Sequence, residues 1–195
     1  VSKEALAAIG STTVIANMLV FFFNGVSIGA GVVVSRFYGA RDEKNLHTAI
    51  ETAMAITFIS GVFLTIFGIM IVPFMLRFMS TPEDVMAPAT TYLTIYSGGL
   101  SGLMIYNIGS GILRAVGDTK RPLLFLIFTS IMNIFLDLLF VIVFHGGIAG
   151  VALATIISQF LSAIGVMLVL LKTKDVYYFR FQDLTIDLPI LKDIL

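Results

Sequence analysis

Cysteine is absent from the 195 residues, which excludes disulfides, thiolate metal sites and cysteine nucleophiles together. Charge is scarce as well: only 12% of residues are Asp, Glu, Lys or Arg, against about 25% in an ordinary soluble domain. The two histidines, His47 and His145, have no second histidine at ligand spacing, which argues against a transition-metal site. HExxH, GxSxG and P-loop patterns are missing, as is an acidic cluster for a catalytic metal, so nothing points to an enzyme or an ATP-driven pump. The net charge is zero, and no nucleic-acid partner is indicated.

What is present is apolar length. Hydrophobic residues make up 58% of the chain, and no charge interrupts it between Glu4 and Arg36, Glu51 and Arg77, or Asp84 and Arg114. Each gap exceeds the roughly 20 residues that cross a bilayer as a helix. From Pro122 to Leu171 the only such charge is Asp137, with a turn at "HGG", His145 to Gly147. Runs such as "FLTIFGIMIV" do not alternate as barrel strands would. The expected fold class is therefore all-α integral membrane, with five transmembrane helices at about 12–35, 48–73, 87–113, 122–144 and 148–171.

Lys and Arg stay preferentially on the cytoplasmic side, and ten lie in the loops after spans one, three and five while only Lys3 and Arg77 face the other way. This predicts a multi-pass protein of the cell, or inner, membrane, with loops near 36–47 and 114–121 and the tail from 172 in the cytoplasm. The chain starts at Val1 with neither an initiator Met nor a signal peptide, and reads as a piece of a longer protein. One helix added before Val1 completes a six-helix lobe. Residues 1–175 then form an incomplete amino-terminal lobe, and 176–195 a cytoplasmic linker toward a missing second lobe. The closing "DLPILKDIL" reads as a short amphipathic helix. Gly25/Gly29, Gly98/Gly102 and the stripe Gly150, Ala154, Ser158 and Ser162 read as close-packing surfaces.

Asp137 stands out, because an ionisable residue inside a span costs about 3 kcal/mol or more and marks a partner, a cavity or an ion path. Ser130, Asn133 and Asp137 fall at i, i+3 and i+7 on one face of the fourth span, with Phe140 and Phe144 continuing it. Thr155, Gln159 and Ser162 form a similar stripe on the fifth. The tight turn makes these helices antiparallel neighbours. The plainer alternative is a structural Asp137 held by hydrogen bonds to Asn133 or Thr155. Asn17 and Asn24 in the first span, and Tyr106, Asn107 and Ser110 in the third, either line a cavity or bond between helices. Tyr92 and Tyr96 suit the interfacial aromatic belt.

Three stretches resemble the multidrug and toxic compound extrusion (MATE) family: "EALAAIGST" with "GAGVVVSRFYGARD", then "ILRAVGDTKRP", then "NIFLDLLF" followed by "GGIAGVALATIISQ". Loop lengths are similar to the prokaryotic subgroup named after the DNA-damage-inducible F protein. The resemblance implies helices two to six of a twelve-helix transporter. It also implies a cation site built from a first-helix aspartate, an Asn and an Asp one turn apart in the fifth helix, and a Thr in the sixth. Asn133, Asp137 and Thr155 match the last three in type and order. Many members carry Pro after the fifth-helix Asp, where this chain has Leu138.

The function so implied is secondary active efflux of amphipathic, cationic organic compounds by antiport with protons or sodium ions. The coupling ion, sodium or proton, sits at Asp137, Asn133 and Thr155. Asn17, Asn24, Asn107, Ser130 and Gln159 are the candidate cavity-lining residues. No catalytic residue and no cofactor are expected. The partners are a small organic substrate, the lipid bilayer and the remaining helices of the full-length chain. The rival reading is a flippase for lipid-linked saccharides, which would want cationic residues inside the cavity to meet phosphate, and no span has an interior Lys or Arg.

Overall fold

The computed structural model describes residues 25–78 and 81–194, and among these it contains helices and no strands. Helix α1 covers 25–39 of the described residues. It is followed by α2 (Glu43–Phe78), α3 (Glu83–Gly98), α4 (Leu100–Ala115), α5 (Lys120–Leu138), α6 (Gly147–Lys172) and the short α7 (Leu188–Ile194). The first expected span, 12–35, is therefore described only from residue 25 onward. Three helices among the described residues are long and apolar enough to cross a membrane: α2, α6, and α5 together with its continuation to Val143.

The expected third span is not one uninterrupted helix. It divides at Gly99 into α3 and α4, each of 16 residues. The Gly99 N–H donates to the Tyr96 carbonyl, a tightened turn, before the α-helical pattern resumes with Leu103 N–H donating to Gly99 O. A Cβ built on Gly99 would collide with Gln159 Oε1 and Ile156, so glycine is what lets α6 approach here. The second span also outruns its expected end, because Pro73 lies inside α2 rather than closing it. Proline is tolerated in a transmembrane helix when neighbouring groups satisfy the freed carbonyl.

Past Leu138 the helix widens into a π-turn, Leu139–Val143. This turn shifts the residues beyond it around the helix, so the polar stripe does not run on through Phe140 and Phe144. The Phe140 backbone and Cβ pack against Gly150 of α6, while Phe144 is exposed. The Phe140 carbonyl accepts Gly146 N–H at 2.8 Å, and His145 (φ 51°) and Gly147 (φ 52°) adopt left-handed conformations that reverse the chain.

Small residues hold the helices together. Lipid tails are as apolar as Leu, so close packing and interhelical hydrogen bonds, rather than hydrophobic burial, drive association in a bilayer. The Gly150, Ala154, Ser158 and Ser162 stripe is buried as expected, and Ser162 donates to Thr129 Oγ1 of α5 at 2.7 Å. Gly109 of α4 lies against Val166 of α6 and Gly111 against Ser27 of α1. Ser27 also donates to the Asn107 carbonyl at 2.6 Å. The outward faces carry exposed Phe63, Ile66, Phe128, Ile131 and Phe135, a surface suited to acyl chains.

The largest core gathers at one end of the bundle, where Val34, Ile50, Ile112 and Leu170 meet Phe179 and Ile194 from the tail. The tail thus folds back across α1 and α2. Arg36 pairs with Asp193 at 2.8 Å, Thr185 donates to Glu51 at 3.1 Å, and Asp187 N–H donates to Thr52 at 3.1 Å. The loops after α1 and α4 and the segment after α6 all line one shared cleft, with Tyr38, Asp118 and Asp175 among its walls. They therefore lie at the same end of the bundle.

Candidate functional site

Asn133 and Thr155, from neighbouring helices α5 and α6, line one cavity of ≈ 430 Å³ together with Asn107, Ser130, Ser158 and Gln159. Of the residues expected to line a cavity, Asn107, Ser130 and Gln159 are thus brought together. Asn17 and Asn24 lie outside the described residues. Arg114, at the loop end of α4, also lines this space, as does Tyr106, whose hydroxyl donates to the Pro122 carbonyl at 3.1 Å. Ser110 is buried outside it. The cavity exists because α5 and α6 meet through small residues, leaving the longer polar side chains of adjoining turns to face the gap between them.

Asp137 sits one turn beyond Asn133 on α5, toward the π-turn, and is not part of the cavity wall. It is partly buried, and its Oδ1 is enclosed with no hydrogen-bond partner. The same holds for Asn133 Nδ2, Asn107 Nδ2, Ser158 Oγ and Gln159 Oε1. Buried polar atoms are overwhelmingly paired, and each unpaired one costs about 1–3 kcal/mol. Five on adjoining turns of three helices make this a seam of unspent hydrogen-bonding capacity. The structural alternative required Asp137 to be bonded to Asn133 or Thr155, and neither bond is present. Instead the Thr155 hydroxyl donates to Val151 O at 3.0 Å, which leaves the lone pairs of Oγ1 free. Ser130 likewise donates to Leu126 O at 2.7 Å.

Two tyrosines join this neighbourhood from α3. Tyr96 is 8% exposed and Tyr92 partly buried, and their rings stack with centroids 5.9 Å apart. Tyr92 lies close enough to Asp137 for the carboxylate charge to reach its hydroxyl, and Tyr96 lies beside Gln159. Both turn inward rather than forming an interfacial belt. Their spacing of four residues places them on one helical face but does not say which way that face points.

The donor set is chemically narrow. It offers a carboxylate, an amide and a hydroxyl, with no His or Cys and no group of three His, Cys, Asp or Glu among the described residues. Hard oxygen donors of this kind suit a proton or an alkali cation better than a transition metal.

The MatE family profile matches residues 1–139. Among curated relatives, the probable multidrug resistance protein YoeA of Bacillus subtilis is 31% identical over 175 residues, covering 88% of this chain and 38% of that protein. The probable multidrug resistance protein YpnP, also of Bacillus subtilis, is 34% identical over 158 residues, covering 81% of this chain and 35% of that one. A solved inward-facing multidrug resistance MATE family transporter of the MOP superfamily superposes with a TM-score of 0.92 at 28% identity, covering 98% of this chain and 44% of that structure. The chain therefore spans less than half the length of these relatives.

Proposed function

Since the chain belongs to the MatE family of membrane transporters, we propose that it forms part of an exporter of amphipathic, cationic organic compounds, completed by a second lobe and driven by inward movement of protons or sodium ions. The cation binds at Asp137, with the Asn133 amide oxygen and Thr155 Oγ1 as further ligands. The observation that carries this reading is the pair of buried, unpaired groups one turn apart on α5, Asn133 Nδ2 and Asp137 Oδ1. A half-turn of the Asn133 amide exchanges its nitrogen for its oxygen, so both residues can present oxygen to one ion. A carboxylate taken out of water needs a proton or a counter-cation, and either one changes the charge of the seam. That change biases the two lobes between arrangements, because a ligand shifts a conformational equilibrium only by its differential affinity.

The loops at 36–47 and 114–121 and the tail from 172 are cytoplasmic in this reading. With no native cysteine, Lys44→Cys and Lys120→Cys should be shielded from an impermeant thiol reagent in intact cells and Glu83→Cys labelled. The coupling site is tested by ion-linked stability. Sodium should raise the unfolding temperature of the completed transporter if it is the coupling ion, by the linkage of ligand to stability, and should fail to do so in Asp137→Asn. Absence of both a sodium effect and a proton dependence that Asp137→Asn removes would refute the site. The flippase reading wants cations for phosphate, and the cavity wall carries one, Arg114, at its loop end.

A further inference from the structure

A second cleft of ≈ 590 Å³ opens between the loop ends of α5 and α6, lined by Arg121, Lys172 and Lys174 with Phe125, Gly165 and Leu168 among its apolar walls. Its size lies in the range of small-molecule sites, about 300–1,000 Å³. Three cations face one lining carboxylate, Asp175, which is already engaged: Thr173 donates to its Oδ2 and its N–H donates to Thr173 Oγ1, both at 3.2 Å. Arg121 shares its charge with Asp118 at 3.3 Å. Lys172 and Lys174 form no ion pair among the described residues. At the same end of these two helices Leu124, Phe128, Leu168 and Leu171 are exposed. Phe125 packs against Gly165 there, its ring about where a larger side chain would stand.

We propose that this cleft seats the phosphate head group of an anionic phospholipid, with its acyl chains lying along the exposed faces of α5 and α6. The general preference of Lys and Arg for the cytoplasmic side accounts for their number but not for three of them converging on a cleft with an apolar floor. Basic pockets between helices at this depth are suited to anionic head groups. The inference is independent of the transport reaction, and it can be measured in detergent, where leaflet orientation has no influence.

The completed transporter is titrated with phosphatidylglycerol or phosphatidylcholine and the bound lipid counted by native mass spectrometry. Phosphatidylglycerol should be retained over phosphatidylcholine. With about fivefold in affinity per basic residue, Lys172→Gln should weaken phosphatidylglycerol about fivefold, and Arg121→Gln/Lys172→Gln/Lys174→Gln on the order of a hundredfold. Arg41→Gln/Lys44→Gln/Lys192→Gln removes the same charge from the same side and should leave binding unchanged. Inorganic phosphate at matched concentration should not displace the lipid. Equal loss in both triple variants, retention of the wild-type affinity in the cleft variants, or displacement by inorganic phosphate would each overturn the assignment. The unfolding temperature without lipid separates lost binding from lost fold, and the single variant keeps the test open if the triple variant does not fold.

Discussion

At the loop end of the bundle several carboxylates find partners; in the seam between α4, α5 and α6 five buried polar atoms do not. Asp42 accepts from the Asn45 N–H at 3.2 Å and from its side-chain amide at 2.6 Å. Asp118 accepts from Arg121 N–H, Asp187 from Ile190 N–H at 2.9 Å, and Arg36 pairs with Asp193. In the seam, Asn107, Asn133, Asp137, Ser158 and Gln159 each keep a buried atom unpaired. The paired groups cap helices and fasten the tail, where water is near and an unmade bond would cost little. The unpaired ones lie where an unmade bond costs most. The carboxylates that cap helices and fasten the tail thus lie apart from the five unpaired atoms of the seam.

Asp137→Asn tests that separation most severely. It keeps shape and hydrogen bonding but removes the charge, so ion-driven export should fall by roughly two orders of magnitude or more while the protein still inserts. Efflux measured across a pH and sodium series decides it, and near-normal export would put Asp137 among the structural groups. The counterpart at the loop end is Phe179→Ala. Phe179 is 1% exposed in the largest core, and its truncation should cost about 3–5 kcal/mol, read by chemical denaturation, with the residual folded protein still able to bind the coupling ion.

Asn133→Leu sharpens the contrast by moving stability and activity in opposite directions. Replacing an unsatisfied buried amide by an apolar side chain of similar size is neutral or stabilising, so the unfolding temperature should hold or rise while export falls about tenfold, the value of one ligand at 1.4 kcal/mol. Thr155→Ala should lower export in the same direction and less than Asp137→Asn. Asp187→Ala removes the cap on α7 and should cost about 1 kcal/mol, loosening the tail without changing ion dependence.

The smallest effect is expected at Asp42. Hydrogen bonds from the Asn45 side chain and backbone hold its carboxyl below the usual value. Its stabilising contribution is therefore complete above the unfolded-state value and disappears as pH falls through the folded one. Thermal unfolding of Asp42→Ala against wild type should show a difference at neutral pH that vanishes in acid. A difference that persisted in acid would mean that the carboxylate is not what caps α2.

Much of this was legible because charge is so rare that each instance carries information. Asp137 is visible as the one charge between Pro122 and Leu171, and the loops and the small-residue stripe of α6 are visible by the same economy. The break at Gly99 was not, since the run from Ala87 to Leu113 contains no charge to mark it and its glycines read equally as a packing surface. Tyr92 and Tyr96 are equally compatible with an interface and an interior, because tyrosine joins an apolar ring to a hydroxyl. The tail was read as a linker closing in a short amphipathic helix; α7 is that helix, and Tyr177, Phe179 and Ile190 enter the core. The stretch Val176 to Phe181 is apolar or aromatic but for Arg180, and that run is the signal that could have placed it in the core. The direction in which a helix face points is a property of its neighbours, and no single strand of sequence contains it.

The π-turn after Leu138 leaves α5 one residue longer than an α-helix of the same rise would be, a slack residue placed immediately beyond the carboxylate. Where some members of the family fix a bend with proline, this chain has Leu138 and a turn that can be handed along the helix, because every residue involved retains its N–H. Passing the slack across Asp137 would carry its carboxylate about 100° around the axis and about 1.5 Å along it. The size of that displacement is set by the peptide geometry alone.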